Sequence, residues 1–80
     1  MSSFRLVHRH QAHECPAAYA SWKGYTSPLR GNSAVSSCLA GGHEIWFDLE
    51  AESAADALAM LPRYVAERSV AARIGEVSIP

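Results

Sequence analysis

Three histidines, a glutamate and a cysteine crowd into His8-Arg9-His10-Gln11-Ala12-His13-Glu14-Cys15, in a chain with only four histidines and two cysteines in all. Neutral imidazole and thiolate are the donor set for divalent transition metals such as zinc, nickel or copper. The spacing H-x-H-x-x-H-E-C matches no standard zinc-finger or zincin pattern, so the motif alone names no metal. The same residues also fit metal-free chemistry. A cysteine that opens a helix has its thiol pKa depressed by the helix end, and a nearby histidine then serves as its base. Alternatively, His10 or His43 acts as general acid or base on a small hydrophobic substrate. The plainest reading involves no chemistry: His8 in the core, His10 and His43 as a hydrogen-bonded pair, His13 solvated and Cys38 a buried, inert thiol.

Which reading holds depends on the elements that carry these residues. Phe4 to His10 alternates, with Phe4, Leu6, His8 and His10 on one face and Arg5, Val7 and Arg9 on the other, as in a strand. Cys15-Pro16 starts a helix, where proline's missing N–H is harmless, and Gly24 ends it. Tyr25 to Asn32 reads as a loop. Val35–Ala40 and His43–Leu49 flank Gly41-Gly42, a two-residue hairpin turn. Ser53 caps a second helix with Asp56 three residues on, Leu58, Leu61 and Val65 form its apolar stripe, and Pro62 kinks it or begins a new turn. Arg73 to Ile79 is the last strand. The order β-α-β-β-α-β predicts a single domain over residues 1–80, α+β in class. It is a ferredoxin-like antiparallel sheet in order 4-1-3-2 with two helices on one face.

In that topology the first and third strands are neighbours, and charge selects their register. Placing Arg5 opposite Asp48 and Arg9 opposite Glu44 sets Val7 against Trp46, which cross-strand energetics favours at about 0.2–1 kcal/mol per pair. Phe4 then meets Leu49, Leu6 meets Phe47, His8 meets Ile45 and His10 meets His43. A one-residue slip would spoil both faces. With Gly41-Gly42 as the turn, Cys38 pairs with Ile45 and joins the histidine face. The candidate metal ligands are therefore His8, His10, His13, His43, Cys15, Cys38 and Glu14. They converge at one end of the sheet with Tyr64 and Arg68, while Tyr19 and Trp22 complete a pocket wall.

The opposite face presents Val7, Val35, Leu39 and Trp46 inside a charged rim with no helix left to cover it. Such a patch reads as a homodimer interface. A partner also suits a chain of eighty residues, whose own core is small. The composition, 49% hydrophobic and 19% charged, is that of a globular domain rather than a disordered one. A net charge of −1 argues against nucleic acid as a partner. No apolar run nears the ~18 residues of a membrane span, and Met1-Ser2-Ser3 opens no charged and apolar leader, so a cytoplasmic protein with reduced thiols is expected. No nucleotide or flavin motif is present.

From Val35 to Pro80 the chain resembles small actinobacterial ferredoxin-like domains, some of which bind nickel as homodimers. The likeness lies in the glycine hairpin, the aromatic strand running into Leu49-Glu50-Ala51-Glu52-Ser53-Ala54, the amphipathic helix, and a final strand with Glu76-Val77. More broadly it is similar to the dimeric α+β barrel superfamily, which includes small isomerases, monooxygenases and cyclases. The resemblance implies the fold, a dimer and a small-molecule or metal site. The Cys15-Pro16 helix and the Ser27-Pro28-Leu29-Arg30 loop depart from the nickel-binding proteins, so no ligand is carried over. The expectation is a homodimeric metal-binding protein, with a small enzyme using His10 or His43 as the alternative.

Overall fold

The computed structural model describes residues 1–80. It is α+β, with one open, four-stranded antiparallel sheet and few helices, compatible with a ferredoxin-like arrangement. The strands are β1 (Ser2–Arg9), β2 (Val35–Ser36), β3 (Glu44–Ala51) and β4 (Ser69–Arg73), in the order β2-β3-β1-β4. The helices α1 (Cys15–Ala20), α2 (Ala54–Leu58) and α3 (Arg63–Ala66) are all short. Helices of this length do not persist alone in water, so tertiary packing must hold them.

The β1–β3 register is the one that charge complementarity selects. Arg5 faces Asp48, Val7 faces Trp46 and Arg9 faces Glu44. Arg5 grips Asp48 with two bonds of 2.7 and 2.9 Å, and Arg9 Nε meets Glu44 at 2.6 Å. On the other face Phe4, Leu6 and Ala51 pack with Ala57, Leu61 and Val65 into the core. Ser53 caps α2, its hydroxyl accepting from the Asp56 N–H at 3.1 Å. Pro62 divides the expected second helix in two. It stands at the N-cap of α3 with extended ψ, and lacking an N–H it starts a new turn instead of continuing the old one.

Two elements differ from expectation. The last strand is Ser69–Arg73 rather than Arg73–Ile79, because the chain leaving α3 meets β1 at once. Ser69 pairs with His8 and Arg73 with Phe4, and the Ile74 N–H bonds the Ser3 carbonyl at 3.0 Å. By Gly75 the partner strand is used up, so the alternating Glu76-Val77-Ser78-Ile79 has nothing to pair with and lies exposed.

The second correction concerns the hairpin. β2 ends at Ser36, which pairs with Ile45 in place of Cys38. Instead of a two-residue turn, Ser37 to His43 forms a loop containing a 3₁₀ turn over Cys38–Ala40. Ser37 ties it shut. Its N–H donates to the Glu44 carbonyl (2.9 Å), its carbonyl accepts from the Gly42 N–H (2.8 Å), and its hydroxyl accepts from the Glu44 N–H (3.1 Å). Gly41 takes the left-handed conformation at φ 86°, and the second such residue is His43 at φ 55°, not Gly42. Gly42 is needed for space, since a Cβ there would lie 2.8 Å from the Ser37 Cβ. Leu39 therefore leaves the sheet face and sits fully exposed in the turn.

Candidate metal centre

Three segments bring four donors together, the loop between β2 and β3 supplying two of them. His10 stands just past the end of β1, where its N–H bonds the His43 carbonyl at 3.1 Å and carries the ladder one step further. Cys15 opens α1, with Pro16 behind it in the first turn. Cys38 begins the 3₁₀ turn and His43 closes the loop. One ligand atom from each of His10, Cys15, Cys38 and His43 lies within 4.8 Å of the other three. His10 Nε2 and Cys38 Sγ are 3.7 Å apart. Donors on a tetrahedral centre with ordinary zinc–nitrogen and zinc–sulfur bonds are about 3.6 Å apart, so this edge already has the required length.

Behind the quartet a relay of hydrogen bonds decides which nitrogens carry protons. The Ser69 hydroxyl donates its only proton to the Val65 carbonyl at 2.6 Å. The same carbonyl lies 3.2 Å from His8 Nδ1, which must therefore donate. His8 Nε2 is then a bare acceptor, and His10 Nδ1–H donates to it at 2.8 Å. That leaves His10 Nε2 with its lone pair directed toward Cys38. A ligating histidine whose other ring nitrogen is held in this way has its tautomer and orientation set in advance. Burial lowers the pKa of His8 and of His10 against the opposing pull of the Val65 carbonyl on His8 and of Glu14 on His10, which favours the neutral imidazole that a ligand such as His10 must be.

The remaining sequence candidates take other positions. His8 is fully buried but lies behind His10 rather than in the quartet. His13 is exposed in the 3₁₀ turn over Ala12–Glu14. Glu14 is engaged elsewhere. It accepts from the Gln11 N–H at 2.8 Å, Arg68 Nε at 3.0 Å and the Tyr64 hydroxyl at 3.4 Å, and the first two of these hold its carboxyl below the usual range. Tyr64 and Arg68 thus anchor the start of α1, with the guanidinium 3.7 Å from the Tyr64 ring centroid. His10 and His43 are not paired through their side chains; their rings tilt against one another at 5.4 Å.

The Cys15 thiol also differs from expectation. Its pKa is raised, first by burial and then by the neighbouring Cys38, so the short α1 does not make it a reactive thiolate. Both cysteines are free thiols. His43 Nδ1 is buried without any hydrogen-bond partner. Such an orphan costs about 1–3 kcal/mol unless something satisfies it.

Three contributors were not visible from residue spacing. The Val65 carbonyl is a backbone group, and no side-chain pattern announces it. Ser69 stands outside every motif of the sequence. Ser37 carried a weak signal, as a serine before a glycine-containing loop. No helix in the molecule is long and apolar enough to cross a membrane. Comparison with family models, with curated proteins and with solved structures gives no match, so the His/Cys group itself carries the functional argument.

Proposed function

We propose that the protein binds one divalent transition metal ion through His10, Cys15, Cys38 and His43, and that the ion fastens the loop ends to the sheet. The observation that carries this reading is the meeting of two imidazoles and two thiols, from three separate segments, within 4.8 Å. An S₂N₂ set of this kind favours zinc, and four protein donors fill a tetrahedral site, which is the signature of a structural or storage centre rather than a catalytic one. The orphaned nitrogen of His43 and the preset tautomer of His10 support it. An enzyme using His10 or His43 on an organic substrate has less support, because no histidine lines either of the cavities of about 300 and 260 Å³ beside the sheet. Elemental analysis of untagged protein is expected to find one metal ion per chain, lost in Cys15→Ser/Cys38→Ser and in His10→Ala/His43→Ala. Metal-free protein that takes up no zinc on titration would overturn the reading.

The open face supports a homodimer. Val7 and Trp46 are half-buried there, and Val35 and Val70 are 72% and 70% exposed. The Arg5–Asp48 and Arg9–Glu44 pairs beside them supply both signs of charge, so the face is complementary to a second copy of itself turned through a two-fold axis. Trp46→Glu is expected to halve the mass measured in solution by light scattering. An unchanged mass removes this arrangement.

A further inference from the structure

A second feature lies beside the quartet without sharing a residue with it. Between α1, the loop that follows it and the sheet is a cavity of about 300 Å³, at the small end of the range for organic ligands. Trp22, Leu29 and Phe47 form an apolar wall, in which the Trp22 and Phe47 rings meet at 5.9 Å with a 47° tilt. Tyr19, one turn after Cys15 on α1, forms the side nearest the quartet, with Ser36 across from it in the lining. Arg30 and Asn32 bring polar groups to the rim.

Two properties narrow what this cavity can hold. No acidic residue lines it, and Arg30 has no carboxylate. Arg5, Arg9, Arg63 and Arg68 each hold one; of the two arginines that do not, Arg73 bonds the Ser2 hydroxyl away from the cavity, and the Arg30 guanidinium makes only a 3.3 Å bond to the Tyr25 carbonyl. The loop that presents Arg30 is also held in place, although it has no regular structure. The Tyr25 hydroxyl bonds the Ala59 carbonyl, Ser27 Oγ bonds the Met60 carbonyl at 2.7 Å, and Asn32 Nδ2 bonds the Pro28 carbonyl at 2.9 Å. Gly31 turns the chain there at φ 82°. A cation carried on a fastened loop, above an aromatic wall, is a preorganised half of a recognition pair.

We propose that this cavity binds a small single-ring aromatic carboxylate, with the ring against Trp22 and Phe47 and the carboxylate on Arg30. The guanidinium fork matches a carboxylate in two parallel bonds, and the aromatic wall selects a flat ring over an aliphatic acid. A nucleotide or other polyphosphate would need more than one cation and a larger space. The proposal goes beyond the metal reading and does not require it, since none of the four donors lines the cavity.

Benzoate is the probe, with benzamide as its neutral isostere and acetate as the ringless acid, each titrated into the purified chain and followed by ¹H–¹⁵N NMR. Benzoate should shift the Trp22 indole and Gly31 amide signals saturably, with Kd on the order of 1 mM for a ligand of this size. Arg30→Gln, at an exposed site where folding is not at risk, should weaken benzoate about tenfold and erase its advantage over benzamide. Equal binding of benzamide and benzoate, no saturable shift up to about 20 mM, or shifts centred on Trp46 on the opposite face would each overturn the proposal. Metal content measured on the same sample separates the two readings: benzoate binding by metal-free protein supports the cavity and says nothing for the metal.

Discussion

Stripped of its metal by a chelator, the protein should melt about 15–30 °C below the loaded form. The size follows from linkage. A ligand present at a thousand times its Kd adds about 4 kcal/mol to the folded state, and in a domain of this length each kcal/mol moves the midpoint by about 4–8 °C. The rest of the molecule has little to set against that loss. Only 11 of the 80 residues are buried, and the core cluster holds six of them. The ion would join the end of β1 to the start of α1 and to both ends of the Cys38–His43 loop, segments otherwise linked by few bonds. Cys38→Ser should show most of the loss without any chelator, because the turn that carries Cys38 is otherwise held mainly by Ser37. Two thiol protons must leave on binding, so below the thiol pKa apparent affinity should rise about 100-fold per pH unit. Scanning calorimetry of loaded and stripped samples checks the first expectation. Identical melting curves at full metal occupancy would remove the structural role.

His8→Ala should cost about 3–5 kcal/mol while leaving the four donors in place. The imidazole is fully buried, so truncation opens a cavity, and large-to-small changes in cores cost about 2–5 kcal/mol. The change also takes away the acceptor for His10 Nδ1 and one donor to the Val65 carbonyl. By contrast, Arg9→Ala, one residue away, breaks an exposed ion pair and should cost less than about 1 kcal/mol. Metal affinity separates the role of His8 from that of a ligand. Losing the group that orients a ligand weakens binding about 10–100-fold without abolishing it. Saturating zinc should therefore still load one ion in His8→Ala but not in His10→Ala/His43→Ala. Denaturant unfolding gives the stability and competition with a chromogenic chelator gives the affinity. If His8→Ala loses metal outright and His43→Ala does not, their roles are exchanged.

Much of the sheet is legible in the residue types alone. Arg5 with Asp48, Arg9 with Glu44, and the apolar pair between them define one register, because pairing preferences and the two-residue period are properties of residue types. Proline at the start of α3 and serine at the cap of α2 were equally readable, each acting through its own backbone or side chain. The last strand was not, since Glu76–Ile79 has the better alternation and only the exhaustion of β1 leaves it unpaired.

The candidate site divides along the same line. The types and spacing of its residues determined that imidazoles and thiols gather at one end of the sheet, because strand direction and helix order place them there whatever the loops do. They also placed His10 beside His43. The tertiary structure alone decided which of the seven candidates share a point. Ligation depends on distances of a few tenths of an ångström, and these are set by groups remote in sequence. The Val65 carbonyl and Ser69 turn His8 into a support, Arg68 draws Glu14 away, and the Ser37 loop delivers Cys38 and His43 by a path that no two-residue turn could follow.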